Sequence, residues 1–344
     1  MNFMRKERKM LFVIFAVLCV LALSLGMALV CAPARALAAE DDHADHTGWT
    51  EITANGGELS AGKYYLNSDV ILTTNLTFSG EVTLCLNGHV LTGNGNGSVI
   101  TVNSGSNFTL CDCNSSEQTH YYTVDANGLY QFSDDLTADN SDGSVEGGVV
   151  TGGNVRDGGG VYVGGSEMAT FTIMGDAVIK GNSARYGGGV TGYDGCRIVL
   201  NGGTIEGNSA QYGGGVYMSK GSIEMRDGAV VSNNSAPNGG GIYLGTSSPS
   251  VFTMFGGSIA GNRTSRYGGG VCVGSTGSFE MKGGSIVKNE CVTDTTSATA
   301  FGAGVHIQPN GKFTMNGGEI SQNSAYANLY AMAAFPCLAE LFLQ

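Results

Sequence analysis

The sequence predicts an all-β fold, a right-handed, single-stranded parallel β-helix (a solenoid) of about nine coils of ~26–29 residues each. Three observations predict it. Glycine supplies 56 of 344 residues while hydrophobic residues still make up 42%. That combination excludes a disordered linker, and no G-X-Y period runs through the chain to suggest collagen. Three sequence marks also recur in one rhythm along the body. Finally, the short apolar runs alternate with period two, and no unit carries a helical pattern of useful length.

The first mark is a glycine triplet followed by a β-branched residue. Gly158-Gly159-Gly160-Val161 recurs as Gly187-Gly188-Gly189-Val190, Gly213-Gly214-Gly215-Val216, Gly239-Gly240-Gly241-Ile242 and Gly268-Gly269-Gly270-Val271. Gly302-Ala303-Gly304-Val305 is a weaker last copy, and the steps between copies are 29, 26, 26, 29 and 34 residues. The second mark is a strand-like triplet: Phe171-Thr172-Ile173, Ile198-Val199-Leu200, Ile223-Glu224-Met225, Phe252-Thr253-Met254, Phe279-Glu280-Met281 and Phe313-Thr314-Met315. The third runs from a β-branched residue, over two spacers, to asparagine. Its copies end at Asn182, Asn208, Asn234, Asn262, Asn289 and Asn323.

Three short strands per unit cannot bury a core within the unit. Coiling resolves this: each unit becomes one turn, and equivalent strands stack in parallel at about 4.8 Å. The punctuation follows. The triplets, represented by Gly160, Gly189, Gly215, Gly241, Gly270 and Gly304, are expected to admit positive φ and close approach of successive coils. The asparagines are expected to tolerate left-handed backbone and to bond in a ladder from coil to coil. Tyr186, Tyr212 and Tyr267 precede three triplets. They predict a stacked aromatic edge, with a sugar-binding strip as the alternative.

The N-terminal part follows the same logic less regularly. Tyr64–Leu66, Val70–Leu72, Leu76–Phe78, Val82–Leu86, Val90–Leu91, Val99–Val102 and Phe108–Leu110 read as strands between glycine and asparagine clusters. Cys85 and Cys111 stand 26 residues apart, one coil, and are expected to be stacked core thiols, with a disulfide as the alternative. The stretch 114–145 breaks the pattern and carries Glu117, Asp125, Asp134, Asp135, Asp139 and Asp142. It reads as a solvated acidic excursion; calcium is the one ion weighed for it, and its acids lack an EF-hand spacing.

The domain reading is a signal peptide at 1–38, a linker at 39–55, the β-helix at 56–325 with its insert at 114–145, and an apolar tail at 326–344. Arg5, Lys6, Arg8 and Lys9 open the leader, an apolar run from Met10 to Val30 follows, and Ala36 and Ala38 mark the cleavage site. The same run is long enough for an uncleaved anchor. Either way the body lies outside the cytoplasmic membrane, secreted or at the cell surface. Five of the 17 basic and one of the 29 acidic residues lie in the leader, so the remainder carries 12 against 28, a balance of −16. That acidity excludes nucleic acid and anionic membrane surfaces as partners. The tail reads as a cap on the open end of the coil or as the product of a truncated reading frame.

The glycine-glycine-x-valine element, paired with isoleucine or phenylalanine two spacers before asparagine, resembles the polymorphic outer-membrane-protein repeat. The wider pattern over about 56–325 is similar to right-handed, pectate-lyase-like β-helix proteins of bacterial surfaces. Val82-Thr83-Leu84-Cys85-Leu86-Asn87-Gly88-His89 and Phe108-Thr109-Leu110-Cys111-Asp112 resemble the first coils of long proteins of that kind. The resemblance implies an extracellular adhesin or structural stalk, whose partner is a host or cell-surface glycan or protein. It implies a C-terminal barrel or wall anchor too, and the sequence shows neither an LPXTG motif nor alternating barrel strands. The membrane is thus reached only through the leader or an anchor missing from this sequence.

The competing expectation is a carbohydrate-binding β-helix or a polysaccharide lyase or hydrolase. Such sites gather carboxylates, or carboxylates with Arg or Lys, on one face of adjacent coils. Here Asp157, Asp176, Asp194 and Asp227 fall at inconsistent places in the repeat, and Arg185 and Arg266 have no acid in a matching slot. His43, His46, His89, His120 and His306 form no recognisable triad. Asp42-His43 and Asp45-His46 read as solvated linker, with weak metal binding as the alternative. No catalytic residue, metal site or cofactor is therefore assigned from sequence.

Overall fold

The computed structural model describes residues 45–115, 118–126, 130–293 and 301–327. The leader with Ala36 and Ala38 lies outside them, as does the tail beyond 327. Tyr326 and Ala327 belong to a strand, Ser324–Ala327.

The described chain is an all-β parallel β-helix. The second-mark strands stack in register: Val82 over Phe108, Phe171, Ile198, Ile223, Phe252, Phe279 and Phe313, each on the next coil. A second ladder in the same sheet aligns Leu91, Val150, Ile179, Ile205, Val231, Ile259, Ile286 and Ile320. The residues after the triplets form a separate sheet of nine strands among the described residues, with Val161, Val190, Val216, Ile242, Val271 and Val305 in one column. The first coil starts earlier than expected: Thr50–Glu51 already pairs with Tyr64 and Tyr65.

The interior columns are buried, and aromatic where the residues allow. Phe78, Phe108 and Phe171 stack at 4.6 and 5.6 Å, and Phe252, Phe279 and Phe313 at 4.5 and 5.0 Å. Each coil is sealed by the next. Met281 and Val273 are fully buried, whereas Met315 and Ile307, their equivalents in the last described coil, are 44% and 42% exposed.

A third sheet was not anticipated. Strands follow the ladder asparagines: Ser183–Tyr186, Ser235–Asn238, Arg263–Tyr267, Glu290–Thr293 and Ser324–Ala327. Its interior positions hold small residues, Ala236, Thr264 and Cys291, all buried. Without bulky apolar side chains the period-two signal is faint.

The insert also differs from expectation. Its exposed acids, Asp134, Asp135, Asp139 and Asp142, are solvated, but the segment is ordered as a three-stranded antiparallel sheet of Thr119–Val124, Tyr130–Phe132 and Gly143–Glu146. Phe132 and Val145 pack on Val90, Val149 and Val178 of the coil. Lys180 lies over the rings of Tyr122 and Tyr130, at 4.7 and 5.4 Å, and pairs with Glu206 at 2.5 Å. Burial opposes the Lys180 charge, but the Glu206 carboxylate prevails and raises its pKa. Where the insert leaves and rejoins the coil, the buried Asp112 carboxylate accepts the amides of Gly88 (2.6 Å) and Gly148 (2.7 Å). A charge-assisted pair of this kind holds both ends of the excursion to one point.

Candidate functional site

The asparagines form one buried file. Nδ2 of Asn182, Asn208, Asn234, Asn262 and Asn289 each donates to Oδ1 of the next asparagine, ending at Asn323, at 2.9–3.1 Å. Each of these backbone amides donates to the same Oδ1. The second Nδ2 proton goes to a carbonyl of the preceding coil, such as Ile205 O for Asn234. At the upper end the amide of Gly153 takes the place of an asparagine. From Asn182 to Asn289 every side-chain donor and acceptor is used, which is what permits amides at 0–1% exposure.

One expectation about this file is corrected. The asparagines themselves are not in the left-handed region; the residue before each is: Gly181, Gly207, Asn233, Gly261, Lys288 and Gln322, with φ of 54–69°. The turn must be made before the side chain enters the ladder. The triplets divide their labour similarly. The first glycine carries the positive φ, as in Gly187 (63°) and Gly239 (65°). The later ones are needed for space. A Cβ on Gly189 or Gly270 would sit 2.7 Å from the carbonyl oxygen of Gly215 or Gly304 on the next coil, and Gly160, Gly215 and Gly241 are equally confined. The last copy carries Ala303 at the middle position, where its side chain is buried at 7% exposure.

The tyrosines cluster on the outer face beside this corner. Tyr186 stacks on Tyr212 at 5.3 Å and Tyr217 on Tyr243 at 5.7 Å, and Tyr193 lies 6.0 Å from Tyr217. Asn238 takes the next place in this column and interrupts the expected aromatic edge, so Tyr267 stacks instead with Phe301 and His306. Burial raises the phenol pKa of Tyr162 and Tyr217, and the Tyr193 hydroxyl donates to Asp157 at 2.7 Å. Arg185 and Arg266 lie over the rings of their neighbours Tyr186 and Tyr267. Asp176 accepts from Ser115 of the insert at 2.6 Å.

Two groupings escaped the sequence reading. The first lies in an open cleft of about 400 Å³ between insert and coil, lined by Ser68, Asp69, His89, Gln118, His120 and Asp134. Asp69 stands 3.4 Å from His89 Nδ1 and 3.6 Å from His120 Nδ1. It also accepts the Val90 amide at 2.9 Å, and His120 Nε2 reaches the Gly88 carbonyl at 2.6 Å. The histidines that show no pattern in sequence thus converge on one carboxylate. An arrangement of this kind can move a proton, or can simply lock the insert to the coil. The second grouping joins His46, Cys85 and Cys113. His46, expected in solvated linker, is 7% exposed. Cys85 and Cys111 are paired in register as buried free thiols, as expected, and Cys113 Sγ also lies 3.3 Å from Cys85 Sγ.

No family model, no curated protein and no solved structure matches this chain.

Proposed function

We propose that the protein is an extracytoplasmic, adhesin-like or structural β-helix that presents a rigid surface to a glycan or protein partner and performs no catalysis. The single observation that carries this reading is the unbroken asparagine file from Asn182 to Asn323. It sets the coil spacing, and so holds the tyrosine face and the acidic insert at constant intervals. Regular spacing suits many weak contacts made at once. The surface charges support the same reading, because they pair with one another: Arg197 of one coil and Arg226 with Glu224, and Lys282 with Glu280. The likeness of the repeat to the polymorphic outer-membrane-protein and pectate-lyase-like surface proteins points the same way. The test is a glycan and matrix-protein array probed with the purified chain. Retention without product release is expected; release of a shortened glycan would reject the proposal.

A carbohydrate-cleaving activity is the second reading, and the cleft at Asp69 is what favours it. A carboxylate beside two imidazoles offers acid and base together. Under this reading, product release is lost in Asp69→Asn while binding to the array persists.

A further inference from the structure

We infer that His46, Cys85 and Cys113 form a binding site for one divalent ion of the zinc class, which ties the N-terminal segment to the third and fourth coils. The two Sγ atoms are 3.3 Å apart, and His46 Nε2 lies 3.7 Å from Cys113 Sγ. All three ligand atoms fall within 4.8 Å of one another, the one such grouping of His, Cys, Asp or Glu among the described residues. Zinc bonds of about 2.3 Å to sulfur and about 2.0–2.1 Å to nitrogen set tetrahedral edges of about 3.8 Å (S–S) and about 3.6 Å (S–N). The two short separations differ from these edges by half an ångström or less, and the His46–Cys85 pair, within 4.8 Å, closes by up to about 1.2 Å when the ion binds. Asn87 Oδ1, 3.8 Å from Cys113 Sγ, flanks the fourth position, which it or a water can fill.

The surroundings are those of a supported ligand set. The His46 ring is stacked on Tyr65 at 4.7 Å and 12°, and meets Trp49 edge-on at 5.2 Å. Its plane is thereby held, as outer residues hold ligating imidazoles in metal sites. The backbone of His46 is in the left-handed region, φ 45°, and that of Asn87 is at 51°. Strained backbone at two non-glycine residues of one small cluster fits a local demand on side-chain placement.

The chemistry balances. Ordinary thiols carry their protons at neutral pH, so both cysteines are protonated before an ion binds. Binding breaks two S–H bonds, forms two metal–sulfur bonds and one metal–nitrogen bond, and releases two protons to solvent. Two thiolates with a neutral imidazole cancel the charge of a divalent ion, which suits a site two of whose three ligands are buried. The topology explains the use. His46 precedes the first strand, Cys85 ends Glu81–Cys85, and Cys113 follows Asn107–Cys111 one coil on. A stacked array is least supported at its terminal units, so a link across them stabilises where neighbours are missing.

The test uses the full chain, purified under a phosphine reductant, stripped with chelator and titrated with Co²⁺. One ion per chain is expected. It should show the charge-transfer band of thiolate–cobalt bonds and the visible bands of a tetrahedral ion, all displaced by Zn²⁺. Trp49 is the only tryptophan of the chain, so its fluorescence should change in parallel. Affinity should rise with pH as proton release becomes easier. Cys113→Ser should halve the charge-transfer intensity per ion, and His46→Asn, which keeps a residue tolerant of positive φ, should weaken binding by about tenfold or more while retaining the two-thiolate band. Cys272→Ser, at a buried thiol elsewhere in the stack, should change nothing. Far-UV circular dichroism checks each variant's fold; if Cys113→Ser does not fold, the wild-type stoichiometry, band and proton release decide. A spectrum without the thiolate band would overturn the inference. So would a Cys85–Cys113 disulfide that leaves a non-binding chain once reduced.

Discussion

Asn234→Ala tests the internal ladder at its centre. The Asn234 side chain is fully buried and makes four hydrogen bonds. Its Oδ1 accepts from the Asn208 amide and Nδ2, and its Nδ2 donates to Asn262 Oδ1 and Ile205 O. Truncation strands the Asn208 donors and the Ile205 carbonyl where water does not reach. A net value of about 1 kcal/mol per bond, with the desolvation of the stranded groups, gives a loss of about 4 kcal/mol. That is a large share of the ~5–15 kcal/mol available to a folded domain. Asn323→Ala is the internal control. Asn323 accepts two bonds and donates one, but it is half-buried at the end of the described stack, so water can replace the missing partner. Its expected loss is about 1 kcal/mol. Denaturant unfolding followed by far-UV circular dichroism compares the two. Equal midpoint shifts for both would refute the argument that burial of a fully satisfied amide file holds the coils in register.

Gly240→Ala should destabilise by about 3 kcal/mol, because the new Cβ would lie 2.6 Å from the Gly269 carbonyl oxygen and 2.5 Å from that of Arg263; Ala303→Gly, at the same place in the last described coil, should be near neutral by the same unfolding measurement. Lys288→Gly should stabilise by about 1 kcal/mol, since the exposed Lys288 holds φ at 55° where other coils use glycine; thermal melting checks the sign. Glu224 is subject to burial, which raises its pKa, but Arg197 and Arg226 outweigh this and leave it lowered. A folded pKa below the unfolded value of about 4.3 means its contribution is present above that pH and lost as pH falls through the folded value. Glu224→Gln should therefore reduce stability at neutral pH by under about 1 kcal/mol, given the exposed partners, and should have no effect at strongly acidic pH.

Much of the fold was legible because a stacked coil imposes the same requirement on every turn. Val161 and its successors, the Phe171 column and the ladder asparagines each face the equivalent residue above and below. A position that must match its own copies repeats in the sequence. The third sheet did not show, because Ala236, Thr264 and Cys291 are small and break the apolar alternation without leaving the interior. The left-handed residue was assigned one place late, because Gly181, Asn233, Lys288 and Gln322 share a backbone angle and not a residue type.

What the sequence by itself determined is the repeat: its strands, its parallel stacking and its glycine and asparagine positions. These follow from local geometry and from contacts between like residues. Only the tertiary structure decided that Asp69, His89 and His120 meet, and that His46 reaches Cys85 and Cys113. Those residues occur once each, in coils of unequal length and in an insert. Their spacing in the chain therefore carries no trace of their distance in space, and the winding of the backbone alone brings them together.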